Sequence, residues 1–293
     1  MKRYFKHFKI MLSCFMIFYI VLNSACTKTN MSINNNVVNP KYKSSISYRN
    51  PNNPYDTAGA MHNNALDYII HHYVEPYNQT DSLKLSYALA WSYANNIKFD
   101  NSNDSLNLSE SLLSTINNSW QDIRDSAINN GYSNNCILYI DSIETILSVD
   151  TTNINSTVQI ETFLNQYIQG KVDEFKLMEG SISSNISDST EMRILFVSCS
   201  IARFSLYYWT NQVMNCPDIW GGPSICMLGK NNQTTLLYLD FIRWIIGGGA
   251  KKDAKGALVS GGSAFGYVWF TGGSVSFAGV CGAALIGGIL SSI

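Results

Sequence analysis

The last 38 residues of the chain, Gly256 to Ile293, contain no aspartate, glutamate, lysine, arginine or histidine. That absence excludes a solvated tail, because so long an uncharged, largely apolar stretch leaves water for a membrane, a packed core or another protein. Charge is scarce throughout, at 14% of residues. No CxxC pair and no Cys/His ligand set occurs, which argues against a structural zinc site. Also missing are a Gly-x-Ser-x-Gly elbow, a phosphate loop and a glycine fingerprint following a strand, and with them the common signatures of hydrolases and nucleotide enzymes. The glycines lie elsewhere: thirteen of the twenty are at or beyond Gly247. No run alternates as a half-buried strand does. The carboxylates are scattered, without the aromatic cleft that a glycosidase pair needs.

What is present begins with an export signal. Lys2, Arg3, Lys6 and Lys9 form a basic segment, and Ile10 to Leu22 an apolar run short for a membrane span. Ser24 and Ala25 precede Cys26. The stretch Leu22-Asn23-Ser24-Ala25-Cys26 resembles the bacterial lipobox, with Leu22 one place further from the cysteine than usual. The resemblance implies a lipid on Cys26 and removal of residues 1–25. An ordinary cleaved signal and an uncleaved anchor share the first two parts of this layout. Of 20 Lys and Arg, four leave with the signal, so 16 face 21 Asp and Glu and the mature net charge is about −5. Such a balance gives no reason to expect nucleic-acid binding.

Residues 26–53, rich in Asn, Ser and Lys, read as a disordered tether. From residue 54 to 249 the pattern is helical, with helices expected over 54–75, 80–98, 107–130, 134–148, 156–179, 189–214 and 234–247. Start signals support them. Asn53-Pro54 offers a cap before a first-turn proline, Ser156-Thr157-Val158-Gln159 a capping box, and Asp188-Ser189-Thr190-Glu191 another cap. The fold class read from this is all-α, a multi-helix bundle. Residues 250–293 read as a separate glycine-rich hairpin of helices over about 254–269 and 274–290. Ala250, Ala254, Gly262 and Gly266, then Ser274, Ala278 and Gly282, form stripes of small residues that let helices approach closely. A helix over 274–290 rises about 26 Å, slightly less than the roughly 30 Å of a bilayer core.

The exported context permits disulfides. Cys216 and Cys226 bracket a loop with two prolines and two glycines that can bring the sulfurs together; two buried thiols are the other reading. One stretch, Asn53-Pro54-Tyr55-Asp56 followed by Gly59, His62-Asn63 and Leu66-Asp67-Tyr68, stands out. It resembles the opening helix of a group of uncharacterised exported proteins of Bacteroidetes-type bacteria, many of which also end in a glycine-rich apolar segment. The aromatic run Ser205, Tyr207, Tyr208, Trp209 is similar to their later helix. That group has no established activity, so the resemblance implies export and a helical body but no catalytic residue. By spacing, Asp56, Gly59 and Asn63 share one helix face, and His62, Leu66, Ile69 and Tyr73 share another that reads as core. Asp56, His62 and Asn63 are the candidate polar cluster, structural or binding. A lone histidine with no nucleophile at readable spacing is more often a hydrogen-bonded core residue than a catalyst. His71 and Glu75 stand one turn apart without a third ligand, so no metal site is expected.

Seven of the fourteen aspartates, Asp56, Asp81, Asp104, Asp125, Asp141, Asp150 and Asp188, are followed by Ser or Thr and then a small or aliphatic residue. Composition alone predicts roughly one. The triplet resembles the periplasmic O-glycosylation signal of Bacteroidetes-type bacteria, while helix capping explains Asp81 and Asp188 equally well. The function expected is a cell-envelope lipoprotein without enzymatic activity or cofactor. It would be held to the membrane through Cys26 and through contact or self-association of residues 254–290, as a homo-oligomer or with a protein partner. Two alternatives stand beside it: an exported helical protein with the hairpin buried as core, and a bacteriocin-like or pore-forming effector.

Overall fold

The computed structural model describes residues 44–73, 79–95, 118–148, 160–214, 243–271, 284 and 287–289, all within one compact unit, Tyr42–Ile293. Among the described residues there are seven α-helices, one π-helical turn and no strand. The helices are α1 (Thr57–His72), α2 (Asp81–Ala94), α3 (Trp120–Asn129), α4 (Asn134–Ile146), α5 (Ile160–Asn185), α6 (Ser189–Met214) and α7 (Lys251–Thr271), with the π turn Trp244–Ala250 directly before α7. Residues 284 and 287–289 are helical as well. The all-α bundle with a returning C-terminal hairpin is the observed architecture.

Helix α6 is its axis. Every residue from Ile194 to Leu206 is buried, and α6 packs against α7, α1, the π turn, α5 and α4. A helix apolar on all sides is stable only when covered on all sides. Leu66, Ile69, Ile143, Leu164, Ile168 and Phe175 pack into that same core. Each such side chain contributes about 1.5–3 kcal/mol of burial.

Local chemistry sets the boundaries. At α3, Ser119 accepts from the Asp122 backbone at 3.1 Å, while the Asp122 carboxylate accepts from the Ser119 backbone at 2.6 Å. The expected continuous helix 107–130 is therefore corrected, because Asn118 and Ser119 are extended chain before a fresh start. The end of α3 is closed by Gly131 at φ +75°, with Tyr132 N–H donating to Ala127 and Gly131 N–H to Ile128. A residue with a Cβ is strained at that φ, and this bond pair is the Schellman closure. At α6 the Asp188 carboxylate accepts from Thr190 and Glu191 at 2.8 and 2.9 Å. Glu191 in turn accepts from the Ser133 backbone and hydroxyl, tying the start of α6 to the cap of α4.

Two domain boundaries change. The expected tether 26–53 ends earlier, since residues 44–53 are a non-helical strap, closed by a turn at 50–53, bonded to α5 and α6. Ser44 N–H donates to Asn211 at 2.8 Å and its hydroxyl to Asn165 at 2.8 Å. Ser47 N–H donates to Gln169 at 2.7 Å, and Lys176 donates to the Ser47 carbonyl. Side chains on the helices thus satisfy the strap's polar groups, and Ile46 is buried under it. The boundary at 249/250 also disappears, because the π turn runs into α7 and both pack on α6. Gly249 has its Cα against the Trp209 ring; a Cβ there would lie 2.6 Å from Trp209 Cγ.

The described part of the hairpin closes through small residues. Ala284 lies opposite Gly261, Gly287 sits on Gly256 and Ser260, and Gly288 lies over Asp253 and His62. Ala250 and Ala254 are buried against the body of the bundle. Gly262, Gly266, Ser274, Ala278 and Gly282 lie outside the residues whose side chains are described. No helix among the described residues is long and apolar enough to cross a membrane. Residues 253, 254, 256–258, 260 and 261 are buried in the bundle.

Candidate functional site

The polar residues that the sequence singles out separate into two buried sets, both built on α6. The first surrounds Arg203, which is fully buried. Its Nε and Nη2 donate to Glu179 Oε1 on α5 at 3.2 and 3.0 Å, Nη2 donates to Asp56 Oδ1 at 2.6 Å, and Nη1 donates to the Tyr48 carbonyl. Glu179 also accepts from Asn50 at 2.5 Å and from Asn53 at 2.6 Å. Asn53 donates again to the Phe196 carbonyl at 2.9 Å. Burial pushes the Glu179 carboxyl above its ordinary range, opposed by the Arg203 charge and by hydrogen bonds from Asn50, Arg203 and Asn53.

Here the expected cap is corrected. Asn53 accepts from Tyr55 N–H at 2.7 Å and so caps a turn over 54–56, after which α1 starts at Thr57. Asp56 makes no side-chain cap bond; its carboxylate holds Arg203 and the Asn50 N–H instead. Charge-assisted bonds to a guanidinium are stronger than a neutral cap.

The second set lies where α1, α6 and α7 meet. Trp209 Nε1 donates to Asp253 Oδ2 at 2.8 Å. His62 Nε2 lies 3.7 Å from the same oxygen, and both side chains are fully buried. Asn63 spends its amide nitrogen on the Phe204 carbonyl at 3.0 Å, so its oxygen faces the ring and accepts from His62 Nδ1 at 3.1 Å. Asp56, Gly59 and Asn63 all face α6, Gly59 through a bond from its N–H to Ser200 Oγ at 3.0 Å. Leu66 and Ile69 share the buried side with His62. Asp56 and His62 do not meet; each serves a different set. No protein-family model, no curated protein and no solved structure matches this chain.

Both sets are closed rather than open to a substrate. A groove of about 300 Å³ between α4 and α5 is lined by Asn135, Leu138, Tyr139, Ser142 and Asn185. A smaller cavity of about 40 Å³ includes Ile123, Ser126, Tyr132, Ile140, Ile194 and Leu258 in its lining. Among the described residues neither is lined by a carboxylate, a histidine or a cysteine. Among the described residues no group of three or more His, Cys, Asp or Glu could hold a metal. His71 is exposed; Glu75 lies outside the described residues, as do Cys26, Cys216 and Cys226. Cys136 and Cys199 are buried free thiols, both pushed up by burial. Of the Asp-Ser/Thr triplets, the hydroxyl residues Thr57, Ser82, Ser126 and Ser189 are exposed and Ser142 is half-buried. Ser142 also donates back to the Leu138 carbonyl at 2.7 Å.

Sequence reasoning missed Arg203, Glu179, Asp253 and Trp209 as members of these sets. One signal was available for Arg203, a single charge inside the apolar run from Ile194 to Leu206. A charge in that setting is retained only with buried partners.

Proposed function

We propose that this chain is a lipid-anchored protein of the bacterial cell envelope, a helical body carried on Cys26, with a scaffolding or recognition role and no catalytic one. The observation that carries the reading is the use made of Arg203. This fully buried cation holds Tyr48 and Asp56 at either end of the stretch by which the chain enters the bundle. A pull on the chain before Ser44 meets a row of bonds to Asn165, Gln169, Asn211 and Glu179 before it reaches any helix. That arrangement suits a body suspended from an N-terminal anchor. The lipobox-like stretch supplies the anchor and the apolar signal run supplies export. The C-terminal hairpin supports the same reading as internal packing, with its described small residues against α7 and His62.

Fractionation of the native host tests this. The wild-type protein should pellet with membranes and show an acylated Cys26 by mass spectrometry. Cys26→Ala should release it to the soluble pool with an unchanged helical melt. A Cys26→Ala protein still resisting alkaline extraction from the membrane would move the anchor to another segment. An unacylated wild-type chain in the soluble pool would end the proposal.

A further inference from the structure

The groove between α4 and α5 holds hydrogen-bonding groups whose directions are fixed by their own partners. Asn135 lies in the first turn of α4, and Asn185 is the last residue of α5. Asn135 Nδ2 donates to the Asn185 backbone carbonyl at 2.8 Å, one of the carbonyls that a helix end leaves over. A carbonyl cannot donate, so the Asn135 side-chain oxygen is turned away from that bond. Asn185 is oriented by a longer relay. Ser181 spends its one proton on the Met178 carbonyl at 2.8 Å. The Tyr139 hydroxyl, 2.7 Å from Ser181 Oγ, must then donate to it, and Asn185 Nδ2 donates to the Tyr139 oxygen at 2.9 Å. Turning the Asn185 amide over would leave the Tyr139–Ser181 contact without a proton. Ser142 gives its proton to the Leu138 carbonyl at 2.7 Å. Three oxygens remain as acceptors: Asn135 Oδ1, Asn185 Oδ1 and Ser142 Oγ. They accept no hydrogen bond among the described residues. All three side chains line the groove of about 300 Å³, together with Leu138 and Tyr139.

That lining carries no charged side chain. Asp141, the residue before Ser142, is held by Arg124 of α3 at 3.4 Å. A cation would be met by neutral oxygens alone, without the carboxylate that strong cation binding uses, and an anion would be met by acceptors. The set matches a neutral ligand with several hydroxyl donors. Leu138 adds an apolar wall, 62% exposed. A lone exposed leucine needs no explanation, but beside three acceptors it completes a mixed surface. A sugar ring is mixed in the same way, with hydroxyls around its edge and carbon–hydrogen faces above and below. The volume is at the lower end of the roughly 300–1,000 Å³ found for ligand sites, room for one such ring rather than a cofactor. Exposed asparagines are ordinarily free to rotate; here a second bond holds each amide, so less freedom is lost when a ligand docks. We propose that this groove is a carbohydrate subsite that seats one neutral sugar residue of a glycan, with Asn135, Asn185 and Ser142 accepting from its hydroxyls and Leu138 against its face. The site gives content to a recognition role, and it does not depend on lipidation at Cys26.

The test uses the full chain with Cys26→Ala, so its outcome is separate from that of the anchor. Maltotetraose, cellotetraose, mannotetraose and chitotetraose are each titrated to about 10 mM, since a few neutral bonds and one apolar contact set a Kd on the order of 1 mM. Binding is read by saturation-transfer NMR. At least one of the four should bind, and the side-chain amide signals of Asn135 and Asn185 should shift with it. Asn135→Ala and Asn185→Ala together should weaken that binding about tenfold, the loss expected for two neutral hydrogen bonds. Asn64→Ala, at an exposed asparagine of α1 away from the groove, should leave it unchanged. No transfer to any of the four sugars, or equal binding by the parent and the double variant, overturns the proposal. Shifts of the same amides with calcium chloride and none with a sugar would reassign the oxygens to a cation and overturn it too. Should the double variant lose its cooperative melt, Leu138→Glu at the exposed wall carries the same comparison.

Discussion

Gly59→Ala is the most exacting substitution for the packing of α1 on α6. A methyl at Gly59 would lie 2.5 Å from Phe204 Cγ and 2.6 Å from the Ser200 carbonyl oxygen. One neighbour is backbone and the other a buried ring, so neither can rotate aside. Helix α1 would have to back away, stretching the 3.0 Å bond from Gly59 N–H to Ser200 Oγ and the flanking bonds of Asp56 and Asn63. Overpacking costs about 1–3 kcal/mol, and one weakened hydrogen bond adds about 1 kcal/mol. Alanine returns about 1 kcal/mol in helix propensity. The net loss is about 2 kcal/mol, and at about 2–4 °C per kcal/mol for a body of this size the melting temperature falls by about 4–8 °C. Gly180→Ala is the matched control, because Gly180 is an exposed helical glycine with nothing within 4 Å of its would-be Cβ. That variant should gain about 0.5–1 kcal/mol and melt slightly higher. Circular dichroism melts of the two proteins decide the matter. If Gly59→Ala rises in parallel with Gly180→Ala, α1 does not pack on α6 at this register and the first polar set loses its geometry.

Four further outcomes are expected. Deleting residues 250–293 should abolish the cooperative melt, because Asp253, Ala254, Ala257 and Leu258 are buried in the bundle; a truncated protein that still melts sharply would return the tail to a peripheral role. Arg203→Leu should cost about 3–5 kcal/mol in urea unfolding by stranding Glu179, and Glu179→Gln added to it should recover part of that loss; strict additivity would refute the ion-pair account. The Asp122 carboxyl is held below its ordinary value of 3.8 by the Ser119 hydroxyl and then by the Ser119 N–H. The folded state therefore binds fewer protons there, so this contribution is present above pH 3.8 and is lost as pH falls through the lowered value; Asp122→Asn should flatten that acid limb, and an unaltered limb would disprove the link. Intact-mass analysis of the native protein should show added hexose-sized masses that map to the exposed Thr57, Ser82, Ser126 or Ser189, and an unmodified mature chain would reduce the triplets to caps.

Some of this architecture was legible because it is local. The three-and-four spacing put Asp56, Gly59 and Asn63 on one face, which the fold turns toward α6, and His62, Leu66 and Ile69 on the buried one. The Asp188 cap was readable from four consecutive residues. What periodicity does not encode is a partner far away in sequence. The strap over 44–53 has a linker's composition, and its order comes from amides on α5 and α6 more than a hundred residues later. Asp56 reads as a helix-start charge until Arg203, 147 residues on, is brought to it. The boundary expected at 249/250 follows three consecutive glycines, Gly247 to Gly249. They instead form a widened turn that lets the Trp209 ring lie against the backbone at Gly249.

The hairpin shows why a pattern of small residues is not yet a structure. Glycine, alanine and serine recur so often after Gly256 that several registers place small residues opposite one another, and close-packing energy alone separates them weakly. The observed register puts Gly287 on Gly256 and Ser260, and Gly288 over His62 and Asp253. Its selection is explained by a polar residue. Asp253 is fully buried and bonded to Trp209, so α7 cannot slide by one residue without stranding a carboxylate in the core. Buried polar groups of this sort fix register in other helical assemblies too. With α7 pinned, the returning arm meets one fixed set of hollows, and a Cβ at Gly288 would come within 3.1 Å of His62 Cδ2. Replacing Asp253 with asparagine keeps the acceptor for Trp209 and should preserve that register, whereas leucine should leave the Trp209 N–H unsatisfied and loosen it. Hydrogen exchange at residues 284–289 separates the two: faster exchange only in the leucine variant is expected, and equal protection in both would show that the small residues set the register unaided.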